Sequence, residues 1–106
     1  MSPSSPSGLT SKQRAHLRSR AHHLKPILQV GSDGVTEAVL EEIEKSFNTR
    51  ELLKVKVLQN APVDVDEAAD TVRDGLDDVH VVQTVGHTMV LYRPDPDGPV
   101  IDLPEG

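Results

Sequence analysis

Two stretches of the chain carry residue types that can hold phosphate, one through backbone N–H groups and one through side-chain cations. The first is Val30-Gly31-Ser32-Asp33-Gly34-Val35-Thr36-Glu37. An apolar run, Ile27-Leu28-Gln29-Val30, leads into it, and a helix-like run from Glu37 to Asn48 leads out. The pattern reads as strand, Gly-x-x-Gly loop, helix N-terminus. Glycines permit positive φ and let a ligand approach closely, because no Cβ stands in the way. A helix N-terminus adds unpaired N–H groups and partial positive charge, which suit phosphate. A Gly-x-x-Gly loop that clamps nucleotide backbone is an RNA-binding device, although the same four residues, Gly31, Ser32, Asp33 and Gly34, also make an ordinary strand-to-helix turn. If the loop meets RNA, Gly34→Asp is expected to weaken binding without unfolding the chain.

The second stretch is Lys12, Arg14, Arg18, Arg20 and Lys25. Residues 1–32 carry these five cations and no acid, a charge of +5, whereas the remainder carries −11; the total of −6 conceals this asymmetry. An acidic chain overall would argue against a polyanionic partner, but a local basic face can hold one. A solvated helix face is the ordinary reading of a charge run. Here no acid is interleaved, so lacing by i,i+4 ion pairs is unavailable and the positive field stays uncancelled. Lys54 and Lys56 alternate with Leu53, Val55 and Val57, which puts both cations on one face of a strand. They can contact RNA, keep that face soluble, or pair with acids of the helix that follows.

Other chemistries are poorly served. There is no cysteine, which removes thiolate metal sites, disulfides and cysteine nucleophiles. Adjacent His22 and His23 on a helix point about 100° apart and do not readily share an ion, so neither a metal nor a cofactor is expected. Asp66-Glu67-Ala68-Ala69-Asp70 resembles an acidic helicase box, but no Gly-x-x-x-x-Gly-Lys-Ser/Thr loop accompanies it. A Gly-x-Ser-x-Gly elbow is missing too; no catalysis is expected. Phe47 and Tyr92 are the only aromatics. Tyr92 either packs or stacks on a base, and the scarcity of aromatics favours recognition of backbone and shape over serial base stacking. The apolar runs are far too short to span a membrane, and Met1 to Gly8 lacks the apolar centre of a secretory signal. The cytoplasm is the expected location and a monomer the expected state.

The elements that position these residues follow from periodicity and punctuation. A chain of 106 residues suggests one domain. Met1 to Gly8 reads as a disordered tail, 9–94 as the domain and 95–106 as a Pro-rich tail. Within that last segment Val100-Ile101-Asp102-Leu103 can lie against the sheet edge. Leu9 to His23 forms a first helix, capped by Thr10 or Ser11 with Gln13 placed for a capping box; its apolar stripe is Leu17, Ala21 and Leu24. Lys25-Pro26 ends it. Ile27 to Val30 is a buried strand. Thr36 caps a second helix with Val39, Leu40, Ile43 and Phe47 inward. Leu52 to Leu58 is a strand. Val65 to Leu76 is a third helix, started by Asp64 or Asp66. Val79 to Val85 and Thr88 to Tyr92 form a hairpin whose Gly86-His87 turn fits type II′. The order α-β-α-β-α-β-β gives an α/β (α+β-like) fold with a four-stranded mixed sheet; the first two strands bracket a helix and should be parallel.

Four of these stretches together resemble the CRM (chloroplast splicing and ribosome maturation) domain family in its stand-alone bacterial form. They are Ser11-Lys12-Gln13 through Leu17, Ala21, His22 and Leu24-Lys25-Pro26; the loop Val30 to Glu37; the strand Glu51 to Val57; and the hairpin Val85-Gly86-His87-Thr88-Met89-Val90-Leu91-Tyr92-Arg93-Pro94. The resemblance implies a non-catalytic RNA-binding domain, similar in its sheet and two helices to the C-terminal domain of bacterial translation initiation factor three. It implies association with ribosomal RNA of large-subunit precursors. It maps the family's RNA-contacting loop onto Gly31 to Gly34 and adds His87 and Arg93 to the expected contacts. Asp33 and His87 stand where the family favours an uncharged or basic residue and a lysine. The −11 balance after residue 32 also admits a partner of a second kind, a basic ribosomal protein engaged by acidic helices around Glu41, Glu42, Glu44 and Asp70, Asp74, Asp77, Asp78.

Overall fold

Each helix begins at a residue whose side chain can replace a missing backbone bond. In the computed structural model, which describes residues 9–95, 97 and 101–104, Thr10 caps α1 (Ser11–Ala21) and closes a reciprocal capping box with Gln13. Thr36 caps α2 (Glu37–Ser46) by accepting from the Val39 N–H at 3.2 Å. Asp64 caps α3 (Val65–Gly75) in a second capping box, with Glu67. Caps of this kind typically stabilise a helix by about 1 kcal/mol each.

The strands are β1 (Leu28–Val30), β2 (Leu52–Val57), β3 (His80–Val85) and β4 (Thr88–Tyr92), in the spatial order β1-β2-β4-β3. β1 and β2 are parallel, as their bracketed helix requires, and the other pairs are antiparallel. The order α-β-α-β-α-β-β and the mixed four-stranded sheet are those expected.

Strand pleating sends successive side chains to opposite faces, and each face has its own core. Leu53, Val55 and Val57 of β2 and Met89 and Leu91 of β4 pack with Ile43 of α2 and Val65, Ala68, Ala69 and Val72 of α3. On the other face Leu52, Val90 and Tyr92 pack with Leu9, with Leu17 and Ala21 of α1, and with Ile101. Burial at ~25 cal/mol per Å2 of apolar area makes these two clusters the main source of stability.

The structure corrects or decides four of these readings. Leu24 lies beyond the end of α1 and is exposed rather than continuing its apolar stripe. Lys54 and Lys56 share the α1 face with Leu52, so they cannot pair with the acids of α3, which covers the other side. Tyr92 is 2% exposed and stacks on His80 with ring centroids 5.9 Å apart; it packs and is closed to a base. Ile101 and Leu103 sit in the α1-side core rather than along an outer strand. The buried Glu51 carboxylate accepts from the N–H groups of Asp95 at 2.7 Å and Ile101 at 2.6 Å.

Candidate nucleic-acid interface

The glycine loop, the exit of β2 and the hairpin turn meet at one end of the sheet. Val30 accepts through its carbonyl from the Leu58 N–H at 2.9 Å, and the Val57 N–H donates to the His87 carbonyl at 2.7 Å. Gly31 to Gly34 form a turn closed by the Gly34 N–H donating to the Gly31 carbonyl at 3.0 Å. Only the second glycine uses its conformational freedom: Gly34 has φ 72°, and a Cβ there would stand 3.3 Å from Pro62 Cγ. Gly34 is also buried. Gly34→Asp would therefore strain the backbone, so it is not the fold-neutral test that the sequence suggests. Gly31 has room, with Leu58 Cδ1 at 4.0 Å its nearest neighbour.

The Asp33 carboxylate is exposed and makes no hydrogen bond or ion pair among the described residues. Thr36 caps α2, as its place before the helix says. The loop thus presents a free negative charge at its tip, beside Ser32, which is also exposed. Across the sheet end, Gly86 has φ 59° while His87 does not take positive φ, the pattern of the type II′ turn. His87 is exposed there.

The cations divide by their surroundings. Lys54 donates from Nζ to the Leu24 carbonyl at 3.0 Å, which ties the segment after α1 to β2. Lys56 is exposed one pleat nearer the loop. Arg18 projects from α1 over the same sheet face, where it lines a groove of about 260 Å3 with His22, Lys54, Gln83, Val85 and Thr88. Arg20 leaves α1 on the other flank of the buried Leu17 and Ala21 stripe, as 100° per residue dictates. Lys25 is exposed after the helix, and Lys12 is exposed at its beginning.

Arg14 and Arg93 are engaged elsewhere. Arg14 donates from one terminal nitrogen to the carbonyls of Val81 and Val82, each at 2.9 Å. Those carbonyls flank an irregularity in β3, where the register with β4 shifts between Val81 and Gln83. Arg93 lies at the opposite end of the sheet, ion-paired with Glu44 at 2.9 Å and poised over the Phe47 ring at 5.8 Å. The structure therefore brings together the loop, His87, Lys54, Lys56 and Arg18, and sets Arg93 and Lys12 apart from them.

Charge follows the two faces. α1 and all four strands contain no acid at all; the helices of the other face contain Glu37, Glu41, Glu42, Glu44, Asp66, Glu67, Asp70 and Asp74. His80, half-buried on the α1 face, has its pKa lowered by burial first and by the Arg14 charge second, with Asp78 opposing. Among the described residues no group of three or more His, Asp or Glu is placed to hold a metal, and no helix is long and apolar enough to cross a membrane. The sequence reading missed Gln83, Val85 and Thr88. The one signal in the sequence was Val85, an apolar residue next to a turn; it is 55% exposed.

Comparison with known proteins gives the family and agrees with the fold. The model of the CRS1 / YhbY (CRM) domain matches residues 9–93. The probable RNA-binding protein YqeI of Bacillus subtilis is 44% identical, over 91% of this chain and 99% of its own. A protein of Haemophilus influenzae named RNA-binding protein is 42% identical, over 81% and 86%. The solution structure of the hypothetical protein SAV1595 from Staphylococcus aureus is 40% identical and superposes with a TM-score of 0.75, covering 91% of this chain and 99% of that one.

Proposed function

Because the chain belongs to the CRS1 / YhbY (CRM) domain family, we propose that it binds RNA, and that its RNA is the ribosomal RNA of large-subunit precursors during ribosome assembly. The names of its relatives support the first part. The observation that carries the reading is that α1 and the strands it covers contain no acid, while Arg18, Lys54 and Lys56 stand on that face, whose hairpin end carries His87 beside the glycine loop. Backbone phosphate supplies most of the affinity in such contacts, and each neutralised phosphate adds a little under one unit to the logarithmic salt slope. The protein acts as a binding module with no chemical step of its own. Crosslinking in cells, read at nucleotide resolution, tests the proposal. Crosslinks concentrated in large-subunit precursor RNA are expected; crosslinks spread over unrelated RNAs would sink the assembly role.

A second reading has its own observation. Glu37, Glu41 and Glu44, with a single cation, Lys45, line a groove of about 390 Å3 together with Leu40 and Leu76 on the opposite side of the molecule. That surface suits a basic protein. If Ala replacements of Arg18, Arg20 and Lys25 leave the protein sedimenting with large-subunit precursors, protein contact through the acidic helices is the better account.

A further inference from the structure

The groove under the C-terminal turn of α1 has features that phosphate binding alone does not need. α1 covers the sheet only at the Leu52, Val82, Val90 and Tyr92 end. Toward the hairpin the same face is open, and Arg18, Pro26, Lys54, Gln83, Val85 and Thr88 are among the residues that line the gap. Gln83 owes its place there to the irregularity in β3. Val82 packs into the α1-side core, yet Gln83, the next residue, pairs with Val90 and faces the same way. A bulge places two consecutive side chains on one face, and Arg14 holds this one by the carbonyls of Val81 and Val82. Beside Gln83 stands Val85, more exposed than any other large apolar residue described.

We propose that this groove receives a single unstacked nucleotide of the bound RNA, its base seated on Val85 and Pro26 with its edge toward the Gln83 amide and Thr88 hydroxyl. The inference rests on the RNA-binding reading and adds to it a place where one base leaves its stack. Its space, about 260 Å3, lies just under the ~300 Å3 at which pockets for larger ligands begin; it suits one base and excludes a helix. The lining joins apolar Pro26 and Val85 to polar Gln83 and Thr88, and it holds Arg18 and Lys54 without an acid, which fits a base with its flanking phosphates. An amide offers a donor and an acceptor side by side, the pair that adenine matches on its edge. RNA readers bind unpaired bases in this way, on edges that a duplex hides.

The test compares two RNAs with the full-length protein: a fully paired blunt duplex, and the same duplex with one bulged adenosine. The wild-type protein is expected to bind the bulged duplex about tenfold tighter, the scale of one well-made edge contact. Gln83→Ala should bring that ratio below about twofold. In the wild-type protein the Gln83 side-chain amide and Val85 methyl resonances should shift with the bulged duplex and not with the paired one. Equal, measurable binding of both duplexes, with those resonances unmoved, would overturn the nucleotide pocket and leave RNA binding standing. Binding of neither would overturn the RNA reading, and the pocket with it.

Discussion

The two faces of the sheet share the same four strands and differ in almost everything else. The α2/α3 face is closed: two helices cover it, its core runs the length of β2 and β4, and its acids lie outside on the helix surfaces. The α1 face is half open, with one helix, a smaller core completed by Ile101, and cations on the uncovered strand positions. One face is built for stability and the other for presentation. A sheet that buried both faces fully would have no room for Lys54, Lys56 or the groove beside Arg18.

Substitutions can break this division or sharpen it. The largest effect is expected from Ile43→Ala, a fully buried position on the closed face. It should cost about 2–5 kcal/mol of stability, read from urea unfolding, while the RNA affinity of the folded fraction stays as it was. Arg14→Ala tests whether the open face needs its own scaffold. It leaves the Val81 and Val82 carbonyls without their charged donor and should cost about 1.5–3 kcal/mol; an unchanged melting temperature would mean that the bulge supports itself.

Arg18→Ala with Lys56→Ala should leave unfolding within about 0.5 kcal/mol, as surface changes do. The same pair should lower RNA affinity about tenfold and reduce the salt slope by roughly 1.8, the value for two phosphate contacts. An unaltered slope would take both residues out of the interface. Asp33→Asn removes the free charge at the loop tip. At a few ångströms in water such a charge is worth about 0.5–1 kcal/mol, so affinity should rise about threefold.

The smallest effect concerns pH. The His80 pKa is lowered in the folded chain, so the unfolded chain binds more protons as pH falls from its ordinary value of about 6.5. The stability that neutral His80 contributes is present above that value and is lost as pH drops through the folded pKa. Melts of the wild type and His80→Gln should diverge near pH 7 and converge as the solution is acidified. Parallel curves would remove His80 from the balance.

Much of the fold was legible because its signals are local. Thr10 with Gln13, Thr36, and Gly86-His87 each specify a cap or a turn within four residues, and each acts as its spacing says. The alternation in Leu52 to Val57 told which residues share a face, but not which helix covers it. That choice depends on contacts between distant segments, and it is why the lysines could be imagined beside α3. The same limit applies to the site. Nothing near Arg14 in sequence reveals a bulge some seventy residues away, and nothing near Glu51 reveals the amides of Asp95 and Ile101. The loop was found from its glycines, yet which glycine is indispensable depended on Pro62, a neighbour only in space.

The irregular stretch of β3 also bears on how the molecule lives among copies of itself. An exposed strand edge is a template for pairing with another chain, and short edge strands and bulges are ways to spoil it. Here one outer strand is three residues long, and the other is interrupted between Val81 and Gln83 with its carbonyls claimed by Arg14. Arg14→Ala should then do more than loosen a helix: it returns two hydrogen-bond acceptors to an open border, and aggregation on storage should be the first sign that they have found a stranger.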